Sequence, residues 1–399
     1  MSTSLYLHIP FCTTRCGYCD FNTYAGLNHL IPQYVEALCK ELQFYPNTSA
    51  EPIAVHTIYF GGGTPSLLPA EAYTRILAAI REAYDVLSGA EITLEANPGS
   101  VSPEYMAKLH SLGFNRISLG MQSAHPAELA LLNRKHDFDQ VSNGVHWAKD
   151  AGFEHISLDL IFGIPGQTVE SWQQSLQMAL GLPVDHLSLY SLTVEEGTPL
   201  FQQVASGQVA PPDEDLAGEM YALAMEALPK WGFSQYEISN WAVNPSARSI
   251  HNMQYWRCDP YLGIGAGAHG YFGHYRYENT AGIAPYILAM QKQAEPLLLK
   301  CPVQANGNYL TLWDEMQEFM MLGLRLTEDG VSSAEFSARF GYSLEELFHR
   351  QLTQLFHQEL LEMHPTAADR LRVTQKGIRF GNRVFAAFVG NKKPAVLGD

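Results

Sequence analysis

Tyr6-Leu7-His8-Ile9-Pro10-Phe11-Cys12-Thr13-Thr14-Arg15-Cys16-Gly17-Tyr18-Cys19-Asp20-Phe21-Asn22 is the stretch on which the reading of this chain turns. Leu5–Ile9 is a short β-rich run and predicts a strand. Cys12, Cys16 and Cys19 follow it with the spacing C-x-x-x-C-x-x-C, three of the chain's six cysteines within eight residues. Three chemistries use such a loop. A structural zinc would need a fourth protein ligand, for which His8 and Asp20 stand nearest. A thioredoxin-like pair would use Cys16 and Cys19 but leaves Cys12, Phe11, Tyr18 and Phe21 without a role. An iron–sulfur cluster held by only three thiolates leaves one iron open to a small molecule, and an open coordination position implies chemistry.

Outward from this loop, β-rich runs alternate with helical periodicity, the pattern of parallel strands joined by crossover helices. Strands are expected at Leu5–Ile9, Val55–Phe60, Glu91–Glu95, Arg116–Gly120, Ile156–Phe162 and His186–Ser191. Ile31, Tyr34, Val35, Leu38, Leu42 and Tyr45 mark one helix face, and Tyr73, Ile76, Leu77, Ile80 and Tyr84 a second, with Pro69 placed for its first turn. Six such units predict an α/β fold, a full or partial parallel barrel, whose site lies at the carboxyl ends of the strands. Unusual residues gather there: the cysteines after the first strand, Gly61-Gly62-Gly63-Thr64-Pro65 after the second, Asn97-Pro98-Gly99 after the third, Met121-Gln122-Ser123 after the fourth and Gly163-Ile164-Pro165-Gly166 after the fifth.

Composition narrows the class. With 399 residues, 46% hydrophobic and 17% charged, the chain is long enough for two to three domains and is neither disordered nor disulfide-dense. No apolar run approaches the roughly 18 residues of a membrane span, and the N-terminus lacks a signal-peptide pattern, so a cytoplasmic location with reduced thiols is expected. Cys39, beside Leu38 on an apolar helix face, reads as an inert buried thiol, as do Cys258 and Cys301. A net charge of −16 argues against non-specific nucleic-acid binding.

The cysteine loop and its flanks resemble the radical S-adenosylmethionine (SAM) superfamily, and within it the branch of oxygen-independent coproporphyrinogen oxidases. The resemblance implies a partial (β/α)6 barrel in which Cys12, Cys16 and Cys19 hold a 4Fe-4S cluster while the amino and carboxylate groups of S-adenosyl-L-methionine chelate the fourth iron. It carries Gly62, Gly63 and Thr64 over to contact with the SAM amino group, and Glu95 to the nucleoside. Gln122, Arg134 and Asp159 fall on further SAM-contacting positions. An Arg suits a carboxylate, and carboxylates suit ribose hydroxyls. Tyr6 and Tyr18 are matched too, Tyr18 being placed to stack on adenine, although both could equally be core aromatics.

Two departures separate this chain from the coproporphyrinogen dehydrogenases of the branch. They carry a further Cys two residues past the third, where Phe21 stands here, and a long N-terminal arm that this sequence lacks. Instead the chain has His251-Asn252-Met253-Gln254-Tyr255-Trp256, similar to the H-N-x-x-Y-W signature of the heme chaperones in the same branch. Imidazole is an ordinary heme ligand, and Tyr and Trp can cover a macrocycle face. The resemblance therefore implies a chaperone that binds heme at His251, Tyr255 and Trp256 and passes it to heme-accepting respiratory proteins. Enzymatic turnover, a homodimer and transient membrane contact stay open. The alternative is an oxygen-independent coproporphyrinogen III oxidase, in which a radical abstracts hydrogen from a propionate and carbon dioxide is lost. A zinc protein binding nucleic acid is the third class.

The expected domains are a barrel over 1–237, a connector carrying the heme signature over 238–300, and a C-terminal winged-helix-like domain over 301–399. Gly263-Ile264-Gly265-Ala266-Gly267-Ala268-His269 falls in the connector, with His269 a secondary candidate for contact with SAM or heme. In the last domain Met316, Phe319 and Met320 mark one helix, and Leu344, Leu347, Phe348, Leu352 and Leu355 another. Leu371–Thr374 and Val384–Val389 are expected to pair as a hairpin. Residues 310–399 hold 10 Lys and Arg against 12 Asp and Glu, so no basic footprint for DNA exists and no nucleic-acid partner is expected.

Overall fold

The computed structural model describes residues 2–49, 51–292 and 300–397, so the end of the expected connector, 293–299, lies outside it. The chain forms two compact units, one comprising 1–231 with 260–308 and the other 232–259 with 309–399.

In the first unit the expected strands form as β1 (Thr3–Ile9), β2 (Ala54–Gly62), β3 (Asp85–Ala96), β4 (Arg116–Gln122), β5 (His155–Phe162) and β6 (His186–Ser191). They are parallel and hydrogen-bonded in sequence order, β1 to β6. Beyond β1 the sheet continues with Tyr261–Ile264, parallel to it, then His269–Phe272 and Tyr275–Asn279, each antiparallel to the strand before. The six-unit barrel is thus a partial one, with the 260–308 segment extending its first edge.

Strand alternation gives the sheet two chemically different faces. Leu7, Phe60, Leu94 and Ile117 lie side by side in register and are fully buried. Between them in sequence, Tyr6, Tyr59, Glu95, Ser118, Asp159 and Ser188 share the other face, where they bond or stack on one another. The crossover helices supply the apolar cover. Ile31–Thr48 buries Tyr34, Val35, Leu38, Leu42 and Tyr45, and Ala70–Ala83 buries Tyr73, Ile76, Leu77 and Ile80, with Pro69 just ahead of its first turn as the N-cap. Cys39 is half-buried rather than buried, while Cys258 and Cys301 are buried. Among the described residues no helix is long and apolar enough to cross a membrane.

In the second unit, Leu312–Gly323, Val331–Ser332, Ser333–Phe340, Leu344–His357, Leu361–Met363 and Arg370–Val373 run in the helix–strand–helix–helix–hairpin order of a winged helix. Its core stacks Trp313 on Phe348 at 5.2 Å and gathers Phe319, Phe336, Phe340 and Phe388 around them. The expected hairpin is corrected here. Arg370–Val373 pairs with the upstream Leu361–Met363, and Val384–Val389 is no strand: Gly381–Ala386 is helical. Val384, Phe385 and Phe388 are buried together at helical spacing, a pattern that a short apolar run also presents to a β reading.

The stretch 238–300, expected to act as one connector, is divided between the two units at residue 260. Its later part is tied to the first crossover helix by a buried carboxylate. Glu41 accepts from the Tyr286 hydroxyl at 2.6 Å, the Gly265 N–H at 2.8 Å and the Asn279 amide at 2.7 Å. Burial pushes its carboxyl up to about 7 from the ordinary 4.5 despite those donors. Between these values the native state keeps a proton that the unfolded chain has released, so stability falls as pH rises through the window. Glu41→Gln is expected to flatten the urea midpoint of the apo-protein between pH 5 and 8, removing up to about 1.4 kcal/mol per pH unit. An unchanged slope would place the titration elsewhere.

Candidate cluster and cofactor site

The cysteine loop leaves β1 at its carboxyl end and is stitched to the β2 loop. Gly63 N–H donates to Ile9 O at 2.9 Å and Thr64 N–H to Phe11 O at 2.8 Å. At Gly62, whose φ is 110°, a Cβ would stand 2.4 Å from the His8 ring, so only glycine lets the loop lie this close.

Two of the three sulfurs receive hydrogen bonds from the rim. The Thr64 hydroxyl donates to Cys12 Sγ at 3.6 Å, and Arg134 Nη1 donates to Cys16 Sγ at 3.5 Å. Cys19 Sγ stands 4.0 Å from the Thr23 hydroxyl. Burial pushes the Cys12 thiol up; the Thr64 bond opposes this, and the neighbouring Cys19 and Cys16 add to it. Burial likewise raises Cys19, against hydrogen bonds from Phe21 and Thr23. Among the described residues no three His, Cys, Asp or Glu side chains close on a single ion position. A zinc would need its thiolates about 2.3 Å from one metal. A cluster instead takes each thiolate on a different iron.

Arg134 sits at the centre of the rim. Its Nη2 donates to Gly120 O at 2.9 Å, while its buried Nε has no partner among the described residues. A buried guanidinium N–H without an acceptor is costly and fits an anionic group arriving from outside the chain. Gln122 lies close by with φ of 63°, a left-handed conformation rare for a residue with a Cβ and often retained at binding sites. Glu95 accepts from the Tyr59 hydroxyl at 2.7 Å and from the Gly62 N–H at 3.1 Å. Burial, with the Asp159 charge adding, pushes its carboxyl up to about 7. Asp159 is also raised by burial, opposed by bonds from Ser118 and Ser188 and by the Arg116 and Arg134 charges. These carboxylates are positioned to accept hydroxyls.

Tyr6 stacks on Tyr59 at 6.2 Å and bonds His8 Nδ1 at 3.0 Å. Tyr18 packs against Leu132, Ile161, Ile164, Leu192 and Leu200 beneath the rim. Phe21, where the extra Cys of the oxidases would stand, is 64% exposed. The structure thus brings together Cys12, Cys16, Cys19, Gly62, Gly63, Thr64, Glu95, Gln122, Arg134, Asp159, Tyr6 and Tyr18. Sequence reasoning missed Thr23, Tyr59, Ser118 and Ser188, although strand alternation from Tyr6 and Asp159 places the last three on the same face. Arg134→Ala is expected to weaken the effect of SAM on the electron paramagnetic resonance spectrum of the reduced protein by roughly tenfold in SAM concentration, through loss of a charged N–H donor to its carboxylate. An unshifted SAM titration would remove that role.

His251, Tyr255 and Trp256 belong to the second unit, on the helix Ile250–Trp256 whose first turn is capped by Ser249. His251 is buried, with Nε2 bonded to the Tyr255 hydroxyl at 2.8 Å and the two rings edge to face. The Arg325 guanidinium lies 4.5 Å from the Trp256 ring centre, while the indole Nε1 is buried without a partner. His269, the secondary candidate, is exposed on the first unit's extended edge.

A three-thiol loop at the carboxyl rim of an open parallel barrel defines a radical SAM protein, and residues 6–179 match the model of the radical SAM superfamily. Residues 310–380 match the HemN C-terminal domain. The chain belongs to the heme chaperone HemW family. It is 38% identical to heme chaperone HemW of Lactococcus lactis over 386 residues, covering 97% of each chain. It is 36% identical to that of Bacillus subtilis over 388 residues, covering 97% of this chain and 99% of the other. The fold is also that of coproporphyrinogen III oxidase HemN from Escherichia coli, with a TM-score of 0.83 at 22% identity over 98% of this chain and 90% of that one.

Proposed function

We propose that this protein is a heme chaperone that carries a 4Fe-4S cluster on Cys12, Cys16 and Cys19, binds SAM at the rim, and delivers heme to respiratory acceptor proteins. The observation that carries the cluster and SAM assignment is Arg134, which donates to the Cys16 sulfur and to Gly120 O while its buried Nε N–H meets no acceptor among the described residues. One guanidinium can thus hold both a cluster thiolate and the carboxylate of a molecule on the open iron. When bound, the cluster supplies one electron to SAM. Glu95 and Asp159 would accept the ribose hydroxyls, with Gln122 beside Arg134.

Support for heme rests on the family and on His251, Tyr255 and Trp256 occupying one capped helix. In the heme-free chain the His251–Tyr255 bond occupies the imidazole Nε2. Ligation through that nitrogen requires Tyr255 to let go, so the His251–Tyr255 bond and heme ligation at Nε2 exclude one another.

Anaerobic reconstitution followed by parallel assays tests the proposal. Stoichiometric heme binding without conversion of coproporphyrinogen III is the expected result. Conversion to protoporphyrinogen with SAM consumption and no heme binding would replace the chaperone with the oxidase.

A further inference from the structure

Resting on the cluster assignment, we propose that Asn22 is a positioning residue for the 4Fe-4S loop, acting as the latch by which the 260–308 segment holds the loop's trailing end. The loop has three kinds of anchor. Its leading end continues β1. Its middle is held by the barrel's far side, through Gly17 N–H to Leu132 O at 3.1 Å, Leu200 N–H to Gly17 O at 2.9 Å and the Asn133 amide to Arg15 O at 3.0 Å. Its trailing end is held by Tyr24, whose N–H donates to Pro10 O at 2.7 Å and whose hydroxyl reaches Ala281 O at 3.1 Å, and by Asn22, whose side chain makes the larger share of the bonds to the 260–308 segment.

That side chain uses both of its N–H groups and its oxygen. Nδ2 donates to Ala266 O and to Ala281 O, each at 2.9 Å, and Oδ1 accepts from the Tyr24 hydroxyl at 2.9 Å. The Asn22 backbone carbonyl meets His8 Nε2 at 2.9 Å, and the other nitrogen of that ring meets the Tyr6 hydroxyl. Asn22 therefore connects the cluster loop, the floor of the rim and a segment more than 240 positions away in sequence. The far side is shaped to receive it. Gly267 has φ of 74°, and a Cβ there would lie 2.3 Å from Asn22 Nδ2. Gly265 N–H is held by Glu41, and Ala266 N–H by the Tyr34 hydroxyl at 2.9 Å, which itself donates to His8 O at 2.7 Å. The glycine string 263–269, weak evidence by itself, is thus the socket for Asn22. Residues that fix the chain carrying metal ligands fix where those ligands sit, and losing such support costs metal sites about tenfold or more.

The test compares the full chain with Asn22→Ala, Asn22→Asp, Gly267→Ala and the Asn22→Ala/Gly267→Ala double variant, each reconstituted anaerobically. Iron loss to a chelator and the SAM-induced spectral change of the reduced protein are read beside the melting temperature of the apo-protein. Asn22→Ala is expected to lose iron about tenfold faster and to respond less to SAM. Asn22→Asp should match it, because a carboxylate cannot donate to two carbonyls. Gly267→Ala should reproduce the defect by displacing the amide; in the Asn22→Ala background the nearest atom is the Cβ at 3.1 Å, so iron loss should deepen little further while the positive φ still lowers the melting temperature. If Asn22→Ala does not fold, Gly267→Ala carries the test. Iron loss and SAM response at the native level in these variants, even with a lowered melting temperature, would make Asn22 a merely structural residue and overturn the proposal. A native chain that takes up no cluster would instead remove the cluster assignment, and this inference with it.

Discussion

Cys12→Ser, Cys16→Ser and Cys19→Ser are each expected to reduce iron and sulfide from about four of each per reconstituted chain to near zero. Serine keeps the volume but not the thiolate, and a loop offering three thiolates has none to spare. The Cys16 variant is the most telling, because Arg134 then loses the sulfur that it bonds at 3.5 Å and the SAM response should vanish with the cluster. Cys39→Ser is the control. Its half-buried thiol meets Arg75 O at 4.0 Å, and cluster content should stay at the native level. A full cluster in the Cys16 variant, or one zinc per chain without sulfide, would end the radical SAM assignment of the loop.

His251→Ala should leave that cluster intact and lower heme affinity by at least about tenfold, about 1.4 kcal/mol, with a changed absorption spectrum. The separation is expected because His251 lies in the second compact unit while all three cysteines lie in the first. Tyr255→Phe distinguishes ligand from scaffold. It removes the hydroxyl that occupies Nε2 but leaves the ring that packs edge to face on the imidazole at 5.2 Å. Heme should then still bind with the native axial-ligand spectrum. If instead His251→Ala lowers thermal stability and leaves the heme titration unchanged, the imidazole is a buried structural group, which its burial and hydrogen bond would also accommodate.

The gap between these two experiments and the Glu41 and Asn22 variants reflects how each residue could be found. Cys12, Cys16 and Cys19 announce themselves by spacing, and Gly62 and Gln122 by motifs that follow strands, because a parallel α/β sheet puts all its carboxyl ends on one rim, whereas Glu95 and Asp159 came from the family resemblance. Arg134 was found only through resemblance. Nothing local marks a residue beyond the fourth strand as the partner of Cys16.

By itself the sequence determined the six parallel strands and the crossover helices that cover them, while the cysteine loop took its identity from resemblance. The strands and helices are each written in a local period that backbone geometry must obey. It did not determine whether Val384–Val389 would be strand or helix, because a short apolar run satisfies both until the burial of Val384, Phe385 and Phe388 selects the helical spacing. Nor could it divide 238–300 between two units, or pair Glu41 with Gly265 across 224 positions. Glu41, Asn22 and Gly267 are ordinary residues in any short window. What makes them matter is the burial of a carboxylate and an amide where only the folded chain can bring donors and acceptors to meet them, and that requirement is set by tertiary structure alone.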